Sequence, residues 1–141
     1  MQKTSTQPST RLTAVLAESD APLRDVLQSA LDSHNLNAIT ALDANECLAM
    51  AANADIVLLD LMLDGMDGLS LLEALRTEQP SVPLIAFIGQ KSIDSLDLDA
   101  EALQVLAIKS GANAVFIAPF NLAELLTTTD RLCEQQLIGE C

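Results

Sequence analysis

The sequence predicts an α/β domain built on a parallel sheet, and three observations carry that prediction. Short unbroken apolar runs recur, most clearly Ile56-Val57-Leu58-Leu59 and Leu84 to Ile88. Runs of this length suit strands buried on both faces, as in the middle of a parallel sheet. Between them lie segments with apolar residues at i, i+3, i+4 and i+7, the spacing of an amphipathic helix. Gly, Pro, Asn and Asp punctuate the joints. Strand and helix alternate five times, which favours a five-stranded parallel sheet with helices on both faces. Right-handed crossovers leave very few topologies.

Leu12 to Ala17 reads as the first strand and ends in the acidic Glu18-Ser19-Asp20. Pro22 suits a first helical turn, and Leu23, Val26, Leu27, Ala30 and Leu31 form one apolar face. Asn35 to Asn37 read as a turn and Ala38 to Ala41 as the second strand. Asp43 can cap a short helix running to Ala51. The third strand begins at Ile56 and ends on Asp60. Two turn signals follow, Asp64-Gly65 and Asp67-Gly68, then a helix to Glu78 carrying Leu69, Leu72 and Leu75. Pro80-Ser81-Val82-Pro83 breaks the chain before the fourth strand, Leu84 to Ile88. Gly89 to Asp99 is an irregular acidic segment. A helix from Ala100 to Ser110 places Leu103, Leu106 and Ala107 on one face and stops at Gly111. Ala114 to Ile117 is the fifth strand, and Pro119-Phe120-Asn121 leads into a last helix carrying Leu122, Leu125, Leu126 and Thr129.

At 141 residues the chain predicts one domain, spanning 11–138, after a polar, disordered tail over 1–10. That tail lacks the apolar core of a signal peptide. A chain this long can bury a core without disulfides or metal. With Phe87, Phe116 and Phe120 the only aromatics, the core is mostly Leu, Ile, Val and Ala. The net charge of −13 argues against nucleic-acid binding, because no basic stripe exists to neutralise phosphates. It argues equally against adsorption to an anionic membrane, and no apolar run reaches bilayer length. Cys47, Cys133 and Cys141 lack metal-type spacing and read as free thiols in a reducing cytoplasm. His34 reads as a solvent-facing residue at a helix end, with no partner that would make it a base or a ligand.

The chemistry-bearing position is Asp60, at the carboxyl end of a central strand. In open α/β sheets that edge holds ligands. Two readings stand: a solvated strand-end carboxylate, or a nucleophilic or metal-binding one. An unrelated small α/β enzyme or ligand binder using Asp60 and Glu18 is the weakest function class. The chain has no Gly-rich phosphate loop, no nucleophile–base pair and no H-x-x-x-H or C-x-x-C set. D-L-M-L-D-G-M-D-G fails the EF-hand spacing, because Met62 and Leu71 stand where loop ligands belong.

The chain resembles the receiver domain of two-component response regulators from Leu12 to about Gln136. V-L-L-D-L-M-L-D-G-M-D-G-L follows that family's phosphoacceptor segment. Pro83-Leu84-Ile85 resembles its fourth strand, and G-A-N-A-V-F-I-A-P-F the segment that normally carries a lysine before the proline. The resemblance implies a flavodoxin-like doubly wound sheet of strand order 2-1-3-4-5 with five helices. It implies an aspartyl phosphate on Asp60 and a Mg²⁺ held by Asp60, Glu18 and the Met62 carbonyl. It also favours a cis Ala118-Pro119 bond.

Against the family pattern, Ser19 stands at the second acid, Ile88 at the phosphoryl-binding hydroxyl, Ala118 at the lysine and Val115 at the switch aromatic. Asp20, the next acid along, is a weak substitute ligand. The expectation is therefore a non-enzymatic, cytoplasmic signalling module with no catalytic residue of its own. It holds Mg²⁺ weakly, is phosphorylated poorly, and works through protein contacts with a sensor kinase or downstream effector. The alternative is a working receiver phosphorylated on Asp60 with Mg²⁺. Because no output domain follows, the chain is expected to be a stand-alone receiver or one domain of a longer protein. Gly89 to Asp99, longer than receivers commonly use and carrying Ile93, Leu96 and Leu98, is expected to form a partner or homodimer surface with the neighbouring helix.

Overall fold

A computed structural model describes residues 11–63, 67–89 and 99–139. The tail over 1–10, the Asp64-Gly65 turn, Ile93, Leu96, Leu98 and Cys141 lie outside the described residues. The elements in chain order are β1 (Leu12–Ala17), α1 (Ala21–Ser33), β2 (Leu36–Ala41), α2 (Ala44–Ala51), β3 (Ile56–Asp60), α3 (Gly68–Glu78), β4 (Leu84–Ile88), α4 (Ala100–Ser110), β5 (Ala114–Ile117) and α5 (Leu122–Gly139). The five strands are all parallel and lie in the order β2-β1-β3-β4-β5. This is the flavodoxin-like order that the resemblance implies.

Side-chain alternation along the central strands divides the core into two layers. Val15, Ala17, Val57, Leu59, Ala86 and Ile88 face one side, with buried residues of α2, α3 and α4. Ala14, Leu16, Ile56, Leu58, Ile85 and Phe87 face the other, with α1 and α5. Each strand thus buries both faces, which is why it reads as an apolar run and not as an alternation. Phe87 stacks on Phe120 with ring centroids 5.4 Å apart, and Phe116 meets Phe120 edge-on at 6.3 Å.

Acidic residues start the helices. Asp20, Asp43, Asp67 and Asp99 each accept a backbone N–H of the first turn, from Leu23, Glu46, Ser70 and Ala102. Asn121 does the same for Glu124 at 3.1 Å. Four of the chain's 20 acidic residues therefore cap helices, where a carboxylate also favours the positive end of the helix dipole.

Several boundaries differ from the sequence expectation. β2 starts at Leu36, not Ala38. Asn35 adopts φ 65°, a left-handed conformation that Asn tolerates, so one residue turns the chain and Leu36 pairs with Leu12. Asp67-Gly68 is not a free turn but the cap and first residue of α3. Val26 and Leu106, expected on buried faces, are 54% and 38% exposed. Each sits at the margin of a stripe whose centre, Leu27 and Leu31 or Leu103 and Ala107, is buried.

Opposite the carboxyl edge, Arg76 of α3 ties three segments together. Its guanidinium donates to the carbonyls of Gln79 (3.2 Å), Pro80 (3.0 Å), Val82 (2.8 Å) and Gly111 (2.7 Å), and to Asn113 Oδ1 (2.9 Å). Gly111 ends α4 at φ 126°, and a methyl group there would press on the Arg76 stem. Arg76→Ala is expected to cost about 2–3 kcal/mol, because several carbonyls lose a charged donor together. Arg76→Lys should recover only a minor part, since a point ammonium cannot serve the planar fork. Denaturant midpoints of the three proteins test this.

Candidate acidic site at the carboxyl edge of the sheet

Strand register builds the site. Ala17 pairs with Leu59, so Glu18 and Asp60 leave adjacent strands at the same level. Glu18 is wholly buried, and Asp60 is half-buried at the last residue of β3. The backbone N–H of Met62 donates to Asp60 Oδ1 at 2.8 Å, and the N–H of Leu63 to the Asp60 carbonyl at 3.1 Å. The carboxylate is thereby oriented by its own following turn, an Asx-type arrangement. Sequence reasoning assigned Met62 only a carbonyl role and missed its N–H.

Glu18 is held differently. Its Oε2 accepts the N–H of Asp20 at 3.1 Å, while its Oε1 is buried with no hydrogen-bond partner among the described residues. Burial, then the adjacent Asp60 carboxyl, push the Glu18 pKa up to about 8. The Asp20 N–H pulls it down, and the Asp20 charge adds a small upward push. At neutral pH the Glu18 carboxyl therefore favours its neutral form. A carboxyl kept neutral by burial and a like-charged neighbour is expected where no cation is close.

Of the remaining sequence-predicted positions, Ser19, Asp20, Ile88 and Ala118 lie at the same edge, while Val115 sits within β5, paired with Ala86. Ser19 follows Glu18 and is exposed. Asp20 is exposed, and its carboxylate accepts Leu23 N–H at 3.2 Å as the α1 cap. Ile88 ends β4, is fully buried and belongs to the α2–α4 side of the core. The N–H of Ala118 donates to the Ile88 carbonyl at 2.8 Å, and the exposed Ala118 precedes Pro119 through a cis bond. Val115 is half-buried and packs on the same core as Ile88.

Among the described residues no Lys or Arg pairs with either carboxyl. Arg24 donates to the backbone carbonyls of Glu18 (3.1 Å) and Ser19 (3.4 Å) instead. No group of three His, Cys, Asp or Glu side chains gathers to hold a metal among the described residues. Two carboxylates and the Met62 carbonyl are nonetheless an all-oxygen set. The orphaned Glu18 Oε1 is a group that a proton or a hard cation such as Mg²⁺ would satisfy.

Elsewhere, His34 has a partner that the sequence did not disclose. Its Nδ1 lies 3.1 Å from Asp130 Oδ2, 96 positions along the chain. Both side chains are exposed, so the pair contributes little to stability. Cys47 and Cys133 are buried free thiols, as expected. Burial pushes Cys47 up to about 12. Burial, with Asp55 and Asp130, pushes Cys133 to about 11, so both are unreactive at neutral pH.

The family model described as the response regulator receiver domain matches residues 14–130. The transcriptional activator protein PfeR of Pseudomonas aeruginosa is 37% identical over 128 residues, covering 89% of this chain and 38% of that protein. The receiver domain of NtrX from Brucella abortus superposes with a TM-score of 0.72 at 26% identity, covering 86% of this chain and 98% of that one. A CheY-like receiver domain protein from Methanospirillum hungatei gives a TM-score of 0.78 at 23% identity, covering 92% and 99%. The chain spans well under half the length of the first curated relatives it matches, 38% and 26%. No helix among the described residues is long and apolar enough to cross a membrane.

Proposed function

The chain belongs to the response regulator receiver domain family, and from that premise we propose that it is an atypical receiver, signalling through protein contacts with slow phosphoryl acceptance at Asp60. The supporting observation is the company Asp60 keeps: a buried acid, Glu18, no paired cation among the described residues, and an apolar, fully buried Ile88. Phosphoryl transfer to a carboxylate depends on positive charge and donors placed around the transferring group. Glu18, Asp60 and the Met62 carbonyl are the groups that would hold Mg²⁺, which when bound supplies charge neutralisation. With Ser19 exposed beside them, and Asp20 occupied as a helix cap, that binding is weak. Val115 and Ile88, both packed in the core, favour a fixed shape over a hydroxyl-and-aromatic switch.

The experiment is intact mass after incubation with Mg²⁺ and acetyl phosphate. Little or no phosphoryl adduct is expected; rapid stoichiometric labelling abolished by Asp60→Asn would overturn the reading. One observation favours the alternative of a working receiver. Asp60 Oδ1 is already held by Met62 N–H, and this leaves a properly oriented nucleophile. The same measurement decides between them.

Partners would be a sensor kinase or a downstream effector, and a second copy of the chain is a further occupant. Their docking face, in this reading, is α4 with the neighbouring strand and helix. Val105, Leu106 and Ile108 are all exposed on α4, and a groove of about 360 Å³ lies between Phe116 of β5 and Thr127 and Thr128 of α5. Residues 90–98, expected to extend that face, are outside the described part. Val105→Ser with Ile108→Ser is expected to leave folding unchanged and weaken self-association or kinase binding by roughly tenfold. Sedimentation and pull-down measure it.

A further inference from the structure

We infer that Gly68 is a positioning residue for the acidic site, acting through the backbone of Leu61. The inference rests on the reading of Asp60 as the site's centre. Gly68 is the first residue of α3 and is buried. A methyl group in place of its hydrogen would overlap Leu61 Cα, lie 2.5 Å from the Leu61 carbonyl oxygen and 2.7 Å from its Cδ2. Two of those three atoms are backbone and cannot rotate away. The start of α3 is therefore pressed directly against the residue that follows Asp60.

Both sides of that contact are anchored. On the helix side, Asp67 caps α3, its carboxylate accepting the Ser70 N–H at 2.9 Å and the Ser70 hydroxyl at 2.7 Å. On the strand side, the Leu61 N–H donates to the Phe87 carbonyl at 3.2 Å. Leu61 is thus clamped between β4 and α3. The next N–H, that of Met62, then reaches Asp60 Oδ1. Adding a Cβ at position 68 must push Leu61 off Phe87 or push α3 away. In either case the Met62 N–H moves relative to the carboxylate it orients. A bare position at the start of α3 is what allows the helix to set the direction of Asp60 from across the loop.

The test follows the Met62 amide by NMR, with Leu75→Ala as a destabilised control far along the same helix. In Gly68→Ala, the Met62 amide shift is expected to move upfield and its hydrogen exchange to quicken by about tenfold or more, as a charge-assisted bond is lost. Leu75→Ala, however destabilised, should leave that shift in place. Adding Leu61→Ala to Gly68→Ala removes only the Cδ2 overlap and should not restore it. If Gly68→Ala does not fold, Asp67→Ala carries the test, since it loosens the same helix start at the cost of a cap. An unmoved Met62 amide in a folded variant overturns the inference. Acetyl phosphate labelling of the same samples reports on Asp60 as phosphoacceptor separately, so failure of that reading leaves the amide result intact.

Discussion

Restoring Ser19→Asp, Ile88→Thr and Ala118→Lys together is expected to raise the rate of Asp60 phosphorylation by about 10³-fold or more, since removing a single oxyanion-type donor commonly costs 10²–10³. Each change supplies a different missing term. Asp at 19 adds a third carboxylate next to Glu18 and so strengthens Mg²⁺ binding. Lys at 118 stands at an exposed position joined to Ile88 by the Ala118 N–H. It brings positive charge to a site where neither carboxyl is paired with a cation among the described residues. Thr at 88 places a hydroxyl beside the end of β3, one register step from the Asp60–Phe87 pairing. These groups act as a unit, so single restorations should give far less than their share. The buried Ile88→Thr change should cost about 1–3 kcal/mol, because it puts a hydroxyl where the core is apolar. Phosphodonor kinetics with Mg²⁺, with Asp60→Asn as the blank, measure the gain. A wild-type chain that already labels as fast as the triple variant would sink the prediction.

Some of this was legible in the sequence and some was not, and the division has a physical basis. Strands β3 and β4 were legible because both faces are buried, so their residues form unbroken apolar runs. The helices were legible from their stripe centres, such as Leu27 and Leu31, but not from stripe margins, where Val26 and Leu106 stay in solvent. The start of β2 depended on a single left-handed Asn35, which composition does not mark. Contacts joining distant segments left no local trace. The His34–Asp130 pair and the five acceptors of Arg76 depend on tertiary placement alone. At the site, the motif placed Glu18 and Asp60 at one edge. It did not disclose that Glu18 is entirely buried while Asp60 is half-open, nor that Gly68 touches Leu61. Burial and close approach are properties of the assembled layers, and burial is the main cause that raises the Glu18 pKa.

Glu18 should therefore dominate the pH dependence of stability near neutrality, and Glu18→Gln should abolish that dependence. In the unfolded chain this carboxyl ionises near 4.5; in the folded chain it does so near 8. Between those values the folded state keeps a proton that the unfolded state has released. Stability is then greatest below the lower value, falls as pH rises through the window, and is least above the upper one. The loss should be on the order of 2–4 kcal/mol, below the ceiling set by the full shift because water reaches the half-open Asp60 beside it. The α3 cap behaves oppositely: Asp67, held below its ordinary value by the Ser70 N–H and hydroxyl, loses its contribution as pH falls. Measurements confined to about pH 6–8.5 avoid the unperturbed carboxyls, which titrate near 4, and a His34→Gln background removes the chain's one imidazole from the same window. Gln at position 18 can accept the Asp20 N–H and donate to Asp60 without ionising. It should match the wild type near pH 6 and exceed it by about 1–2.5 kcal/mol above pH 8, the part of the loss that falls in the upper two pH units of the window. Glu18→Ala should be less stable at every pH, because it leaves a cavity and strands the Asp20 N–H. Chelator is needed throughout, because a bound divalent cation would reverse the local electrostatics and draw the carboxyl down. Urea midpoints across the window give the answer, and a Gln variant as pH-sensitive as the wild type would show that the proton sits elsewhere.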